Sequence, residues 1–293
     1  MLKRLLLCTC VLLLAGCTVT YREAWLVSPA PAEPPELDAL RVEFPEHAFS
    51  EERIEADGAS LYTLAMTRPD ARATVLYLGP NRYRTGPMAR SSARVYAPLP
   101  VNLVLVDHRG YGASTGAPTV DALMADALRV HDHIAADPAH AGLPLVVHGH
   151  SLGSFMAGHV ASHRRLGGLV LEGSATTTEE WVDYQRSRLP WWQRVLIRRI
   201  APEAPLAGRG NLPVVGGLDE PVLFVVGEGD LDTPPDFSRR LYDATPLSET
   251  CRTLLVVPER GHNDATRSET FEAAMAAFLD RIADPGSHPP CAA

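Results

Sequence analysis

The chain has 293 residues, a formal net charge of −8, 46% hydrophobic and 21% charged residues. That composition can bury a sizeable core, which excludes the disordered and fibrous classes, and the acidic balance argues against nucleic acid, whose phosphates need clustered positive charge. The length suits one large α/β domain with appendages.

In chain order, Lys3 and Arg4 come first, then an apolar run from Leu5 to Leu14 broken only by Cys8, Thr9 and Cys10, then small residues. This is the layout of a secretory signal peptide, and the run is shorter than the roughly 20 apolar residues a bilayer span needs. Leu14-Ala15-Gly16-Cys17 resembles the lipobox of bacterial lipoproteins. The resemblance implies acylation of Cys17 and a membrane held through the N-terminal lipid, because several acyl chains anchor stably at about 0.8 kcal/mol per buried methylene. Thr18, in place of Asp, resembles lipoproteins sorted to an outer membrane and implies the periplasmic face of a bacterial envelope. Residues 1–16 are then signal peptide, and 17–40 a lipidated cysteine with a tether that Pro29, Pro31, Pro34 and Pro35 hold extended at roughly 3 Å per residue. Residues 41–284 form the main domain, and 285–293 a tail.

Within that domain, seven β-rich apolar runs are predicted to be strands: Leu61–Met66, Thr74–Leu78, Leu103–Val106, Leu145–Val147, Gly168–Leu171, Val222–Val226 and Thr253–Val257. Several are continuously apolar, as in parallel strands covered on both faces. Helices are predicted over Thr119–Asp137, Leu152–Arg165, Pro235–Ala244 and Arg267–Ala283, with Thr119 and Pro235 suited to helix starts. Strand and helix in alternation imply α/β architecture, a doubly wound, mostly parallel sheet. Between Leu171 and Val222 lie about fifty residues, far more than an ordinary crossover. This insertion, about 175–218, holds Trp181, Tyr184, Trp191 and Trp192 with five arginines from Arg186 to Arg199. It reads as a short helical cap over a substrate site, or as a crossover whose tryptophans fill its own core. Two cysteines besides those of the N-terminal segment, Cys251 and Cys291, could pair in an oxidising periplasm. The preferred reading is a buried Cys251 and a free Cys291.

The chemistry concentrates at Gly149-His150-Ser151-Leu152-Gly153, a G-x-S-x-G pattern between a predicted strand and a predicted helix. Such a turn strains the serine backbone and needs small flanking residues. A serine hydroxyl is a weak nucleophile near neutral pH and requires a base, itself oriented by an acid. Asp230 follows the strand Val222–Val226 and His262 follows Thr253–Val257, in the chain order Ser, Asp, His expected of this elbow. Asp232 and Asp264 are alternative acids by position. His262 as base would let activity fall below about pH 6.5. His148, His150, His131 and His133 carry no ligand spacing, and neither CxxC nor HExxH occurs, so neither metal nor cofactor is expected.

Leu76 to Asn81, Val106 to Gly112, the serine elbow, Gly227 to Pro235 and Gly261 to Asp264 together resemble the α/β-hydrolase superfamily, in particular its bud-emergence-like branch, related to the dienelactone-hydrolase and prolyl-oligopeptidase lineages. The resemblance spans about residues 55–283. It implies oxyanion donors at the backbone N–H groups of Asn81 and Leu152, although Gly79-Pro80 stands where that family has His-Gly. It also implies a serine hydrolase of the carboxylesterase kind acting on a small-molecule or lipid acyl substrate. A thioesterase, a peptidase or a non-catalytic scaffold of the same fold are the alternatives, and oligomeric state is not legible.

Overall fold

The continuously apolar runs become the inner strands of one eight-stranded sheet. A computed structural model of the chain describes residues 17–284 with Gly286 and Cys291. Its strands are β1 (Cys17–Tyr21), β2 (Ala30–Pro31), β3 (Ala48–Ala56), β4 (Ala59–Thr67), β5 (Ala73–Leu78), β6 (Val101–Val106), β7 (Tyr111–Gly112), β8 (Leu145–His150), β9 (Gly168–Glu172), β10 (Ile197–Pro202), β11 (Val222–Gly227) and β12 (Arg252–Val257). Its helices are α1 (Glu23–Leu26), α2 (Leu37–Glu43), α3 (Thr85–Tyr96), α4 (Val120–Ala136), α5 (Leu152–Ala161), α6 (Thr178–Ser187), α7 (Trp191–Leu196), α8 (Leu212–Val215), α9 (Pro235–Ala244) and α10 (Glu269–Ala283). The main sheet runs β12-β11-β9-β8-β5-β6-β4-β3. It is parallel from β12 to β6 and antiparallel only at β6–β4 and β4–β3.

Successive residues of each inner strand feed opposite faces, as a period of two requires. Leu76, Val104, Val147, Leu169, Val222 and Phe224 join a core beneath α4, α5 and α9. Their neighbours Val75, Leu103, Val146, Val170, Leu223 and Val225 join a second core beneath α3 and α10. Each such side chain, buried completely, stabilises the fold by about 1.5–3 kcal/mol. Two covered faces leave no polar alternation to see, which is why these strands read as unbroken apolar runs. Thr119 caps α4 by accepting from the Ala122 amide, and Ser268 caps α10 by accepting from Phe271. Pro235 occupies the first turn of α9, where its missing N–H costs nothing.

Among the elements that escaped the sequence reading are one strand of the main sheet and one helix packed against it. Strand β3 is mostly exposed and charged, with Phe49 and Ile54 its only buried residues. Helix α3 carries Gly86, Pro87 and two serines over a narrow buried face of Thr85, Ala89, Ala93 and Tyr96.

Residues 17–40, expected to be an extended tether, instead lie on the domain. Strand β1 pairs in parallel with β10, and β2 with β7. Val27 is 3% exposed, and the Glu23 carboxylate accepts from the Val120 amide at 2.7 Å. The prolines do keep the backbone extended, but Tyr21, Leu26 and Val27 supply enough apolar surface to dock it. The expectation of a free Cys291 is also corrected, since Cys251 and Cys291 form a disulfide with Cα atoms 5.3 Å apart. The tail is drawn back to the entrance of β12, where the Ser248 amide donates to the Cys291 carbonyl at 3.2 Å. Residues 1–16, and with them the expected signal peptide, lie outside the described residues.

Candidate active site

Ser151 stands between the end of β8 and the start of α5 with φ 52° and ψ −113°, a left-handed backbone conformation unusual for a side chain with a Cβ. The turn holds because its flanking glycines permit close packing. A Cβ on Gly153 would lie 1.9 Å from the Leu78 carbonyl oxygen, and one on Gly149 would lie 2.4 Å from that of Gly153. The Ser151 amide donates to the Glu172 carbonyl at the end of β9, at 2.9 Å, which ties the elbow to the neighbouring strand.

Loops after β11 and β12 deliver Asp230 and His262 to the same edge of the sheet. His262 Nε2 lies 2.9 Å from Ser151 Oγ, and His262 Nδ1 lies 2.8 Å from Asp230 Oδ2. A proton on Nδ1 donates to the carboxylate, so the tautomer with Nε2 free to accept from the serine is the favoured one. Asp230 is 2% exposed. Its Oδ1 accepts from the amides of Asp232 and Thr233 at 2.8 and 2.9 Å, and its Oδ2 from the Thr233 hydroxyl at 2.9 Å. Burial alone would raise the Asp230 pKa, but the His262 hydrogen bond and charge, with the two amides, hold it below its ordinary value. For His262, burial lowers the pKa and the Asp230 partnership outweighs it, so the imidazole is more basic than usual. Of the alternative acids, Asp264 accepts from the Gly261 amide at 2.7 Å and shapes the turn carrying His262. Asp232 contributes its backbone, with its amide on Asp230 and its carbonyl accepting from the Trp181 indole at 3.0 Å.

A cavity of about 300 Å³ opens beside Ser151, with Asn81, Leu152, Phe155, Trp181 and His262 in its wall, joined by Tyr21, Trp25 and Leu26 of the N-terminal segment. Among the described residues neither the Asn81 nor the Leu152 amide N–H has a hydrogen-bond partner. The Asn81 side chain is fixed instead, its Oδ1 accepting from the Tyr111 hydroxyl at 2.9 Å and from the Ser28 amide at 3.2 Å. The neighbouring Gly79 carbonyl lies 2.9 Å from His108 Nε2. The segment Val106 to Gly112 therefore braces the turn that carries Asn81.

His150 and Glu172 were not singled out as functional in the sequence. His150 Nε2 lies 2.8 Å from the His262 carbonyl oxygen. The Glu172 carboxylate, 1% exposed, lies 3.2 Å from His148 Nε2 and 3.7 Å from His150 Nδ1. A Glu at the end of an otherwise apolar strand, three positions before the insertion, was the available signal. Among the described residues no three His, Cys, Asp or Glu side chains are grouped to hold a metal ion.

Solved structures share this arrangement of strands and helices. An esterase of Pyrococcus furiosus superposes with a TM-score of 0.63 at 17% identity, covering 86% of this chain and 98% of that one. The chain has the α/β-hydrolase fold. Within this α/β-hydrolase fold, residues 100–215, from β6 through the elbow and most of the insertion, match the family model described as serine aminopeptidase, S33. Among curated proteins, an uncharacterized membrane protein of Saccharomyces cerevisiae is 27% identical over 228 residues, 77% of each chain. Protein bem46 of Schizosaccharomyces pombe is 25% identical over 222 residues, 75% of this chain and 71% of its own.

Proposed function

We propose that the protein is a serine hydrolase that cleaves an ester or related acyl bond through an acyl-Ser151 intermediate. The observation that carries the reading is the continuous line from Ser151 Oγ to His262 to Asp230, with steps of 2.9 and 2.8 Å, at the wall of a cavity. His262 takes the serine proton as Oγ attacks the acyl carbon, and the N–H groups of Asn81 and Leu152 receive the developing oxyanion. The leaving group departs with that proton, and His262 then activates water to release the acid. Asp230 holds the imidazole tautomer and stabilises its cation. No cofactor enters the scheme. The proposed setting is a bacterial envelope, with Cys17 as the lipid-bearing residue at the periplasmic face of an outer membrane. A disulfide between Cys251 and Cys291 suits such an oxidising compartment.

A fluorophosphonate probe labels only an activated serine, so wild type is expected to react and Ser151→Ala not to. The same substitution is expected to lower kcat on p-nitrophenyl butyrate by roughly 10⁴-fold or more. Labelling at full extent in the variant, or near-wild-type turnover, overturns the assignment. The match over residues 100–215 favours one second reading, removal of an N-terminal residue from peptides. Aminoacyl p-nitroanilides hydrolysed at a higher kcat/KM than p-nitrophenyl esters would select it.

A further inference from the structure

Seven large apolar side chains are exposed among the described residues, and four of them, Trp191, Trp192, Val195 and Leu196, stand on the six-residue helix α7. They fall at i, i+1, i+4 and i+5, so they form one stripe rather than scattered contacts. At 72% and 50% exposure, Trp191 and Trp192 do not fill the insertion's own core. Isolated apolar residues on a surface need no explanation, but a contiguous stripe carrying two tryptophans does.

Charge and chain direction say what meets this stripe. From Gln185 to Pro202 there is no Asp or Glu, and Arg194, Arg198 and Arg199 are exposed without an ion-pair partner among the described residues. In a chain of net charge −8, that makes α7 and the start of β10 a cationic, apolar surface. Cys17, the proposed lipid-bearing residue, pairs with Ile197, the residue next to α7, so an anchor at Cys17 and the stripe stand side by side. From there β1 leads four residues on to Tyr21, about 13 Å at strand rise. Tyr21 packs edge-on against Trp25 and Trp181, with ring centroids 5.5 and 5.2 Å apart, in the wall of the Ser151 cavity.

We propose that α7 with the arginines of β10 is a membrane-contact surface for an anionic phospholipid bilayer. It inserts its tryptophans at the acyl boundary, sets the guanidinium groups among the headgroups, and holds the Ser151 cavity about one strand length from the lipid. Tryptophan prefers that boundary because its ring is apolar and its N–H is not, and arginine stems reach headgroup phosphates from an apolar surface. The inference deepens the proposed function, because a cavity so placed takes its acyl substrate from the bilayer.

The test uses the full chain mixed with vesicles of phosphatidylcholine and phosphatidylglycerol whose acyl chains are brominated. The lipid on Cys17 carries no fluorophore, so quenching reports how close the four tryptophans come to the acyl chains. Wild-type tryptophan emission is expected to be quenched. Trp191→Phe/Trp192→Phe, which keeps apolar rings and removes two of four fluorophores, is expected to lose about half of that quenching or more. Arg194→Gln/Arg198→Gln/Arg199→Gln, or vesicles of phosphatidylcholine alone, are expected to reduce it. Flotation with vesicles without quenching overturns the surface while the anchor stands, and absence of both overturns both. Tryptophans already shielded from aqueous iodide before vesicles are added show α7 covered by the N-terminal segment or a second copy, which also overturns the proposal.

Discussion

Gly173, just past β9, lies against the imidazole of His262. A Cβ there would sit 2.9 Å from His262 Cε1, and the residue has φ +52°. Gly173→Ala is expected to lower kcat by about 10- to 100-fold through displacement of the ring, read by kinetics alongside the rate of fluorophosphonate labelling. The protonation of His262 gives a second test. Only the neutral imidazole accepts the serine proton, so kcat/KM follows its deprotonated fraction. Burial favours that neutral form, yet the Asp230 bond and charge prevail and raise the pKa. The acid limb therefore belongs above the ordinary value of about 6.5, not at it. Asp230→Asn should move the residual limb downward and reduce kcat by about 10⁴-fold. A wild-type kcat/KM profile with its limb below pH 6 would count against this base.

At the scale of elements, helix α6 of the insertion grips the loop that carries the acid. The Tyr184 hydroxyl donates to the Leu231 carbonyl at 3.1 Å, and Trp181 Nε1 and Gln185 Nε2 donate to the Asp232 carbonyl at 3.0 and 3.2 Å. The insertion is thus a wall of the site and a brace for Asp230. Tyr184→Phe/Gln185→Ala removes two of these bonds, each worth about 1 kcal/mol. The expected result is faster hydrogen exchange over residues 228–234 and a kcat several-fold lower, with Trp181 and the cavity left in place. On the opposite side, β7 supplies Tyr111, whose hydroxyl fixes Asn81. Tyr111→Phe keeps the buried ring and frees the turn, so kcat should fall toward the 10²-fold loss of one oxyanion donor while KM changes little.

Across the whole molecule, the first and last described segments are fastened to the domain by different means. The N-terminal segment adds β1 and β2 to peripheral pairs. The C-terminal tail is held by the Cys251–Cys291 disulfide, which closes a loop of 40 residues. Such a loop stabilises by about 3–4 kcal/mol through the entropy of the unfolded chain. Cys291→Ser is expected to lower the unfolding free energy by that order in urea titration, with the rate of fluorophosphonate labelling retained under native conditions, since the disulfide lies at the start of β12 and His262 beyond its end.

The five inner parallel strands β5, β6, β8, β9 and β11 and the places of Ser151, Asp230 and His262 were legible because they depend on local signals. Strands buried on both faces must be apolar throughout, and an elbow needs its glycines at fixed offsets from the serine. Strand β3 was not legible because an edge strand solvated on one side carries charge where apolar residues would mark it. The choice of Asp230 over Asp232 and Asp264, the brace of Tyr111 and Ser28 on Asn81, the contact of His150 with the His262 carbonyl and the Cys251–Cys291 pair all join positions distant in the chain or choose among close neighbours. Residue types able to do the chemistry, and their order along the chain, are local information and stand open in the sequence. Which of them meet is settled by the fold, because a hydrogen bond depends on distances of about 3 Å that packing of the whole sheet sets and no local pattern encodes.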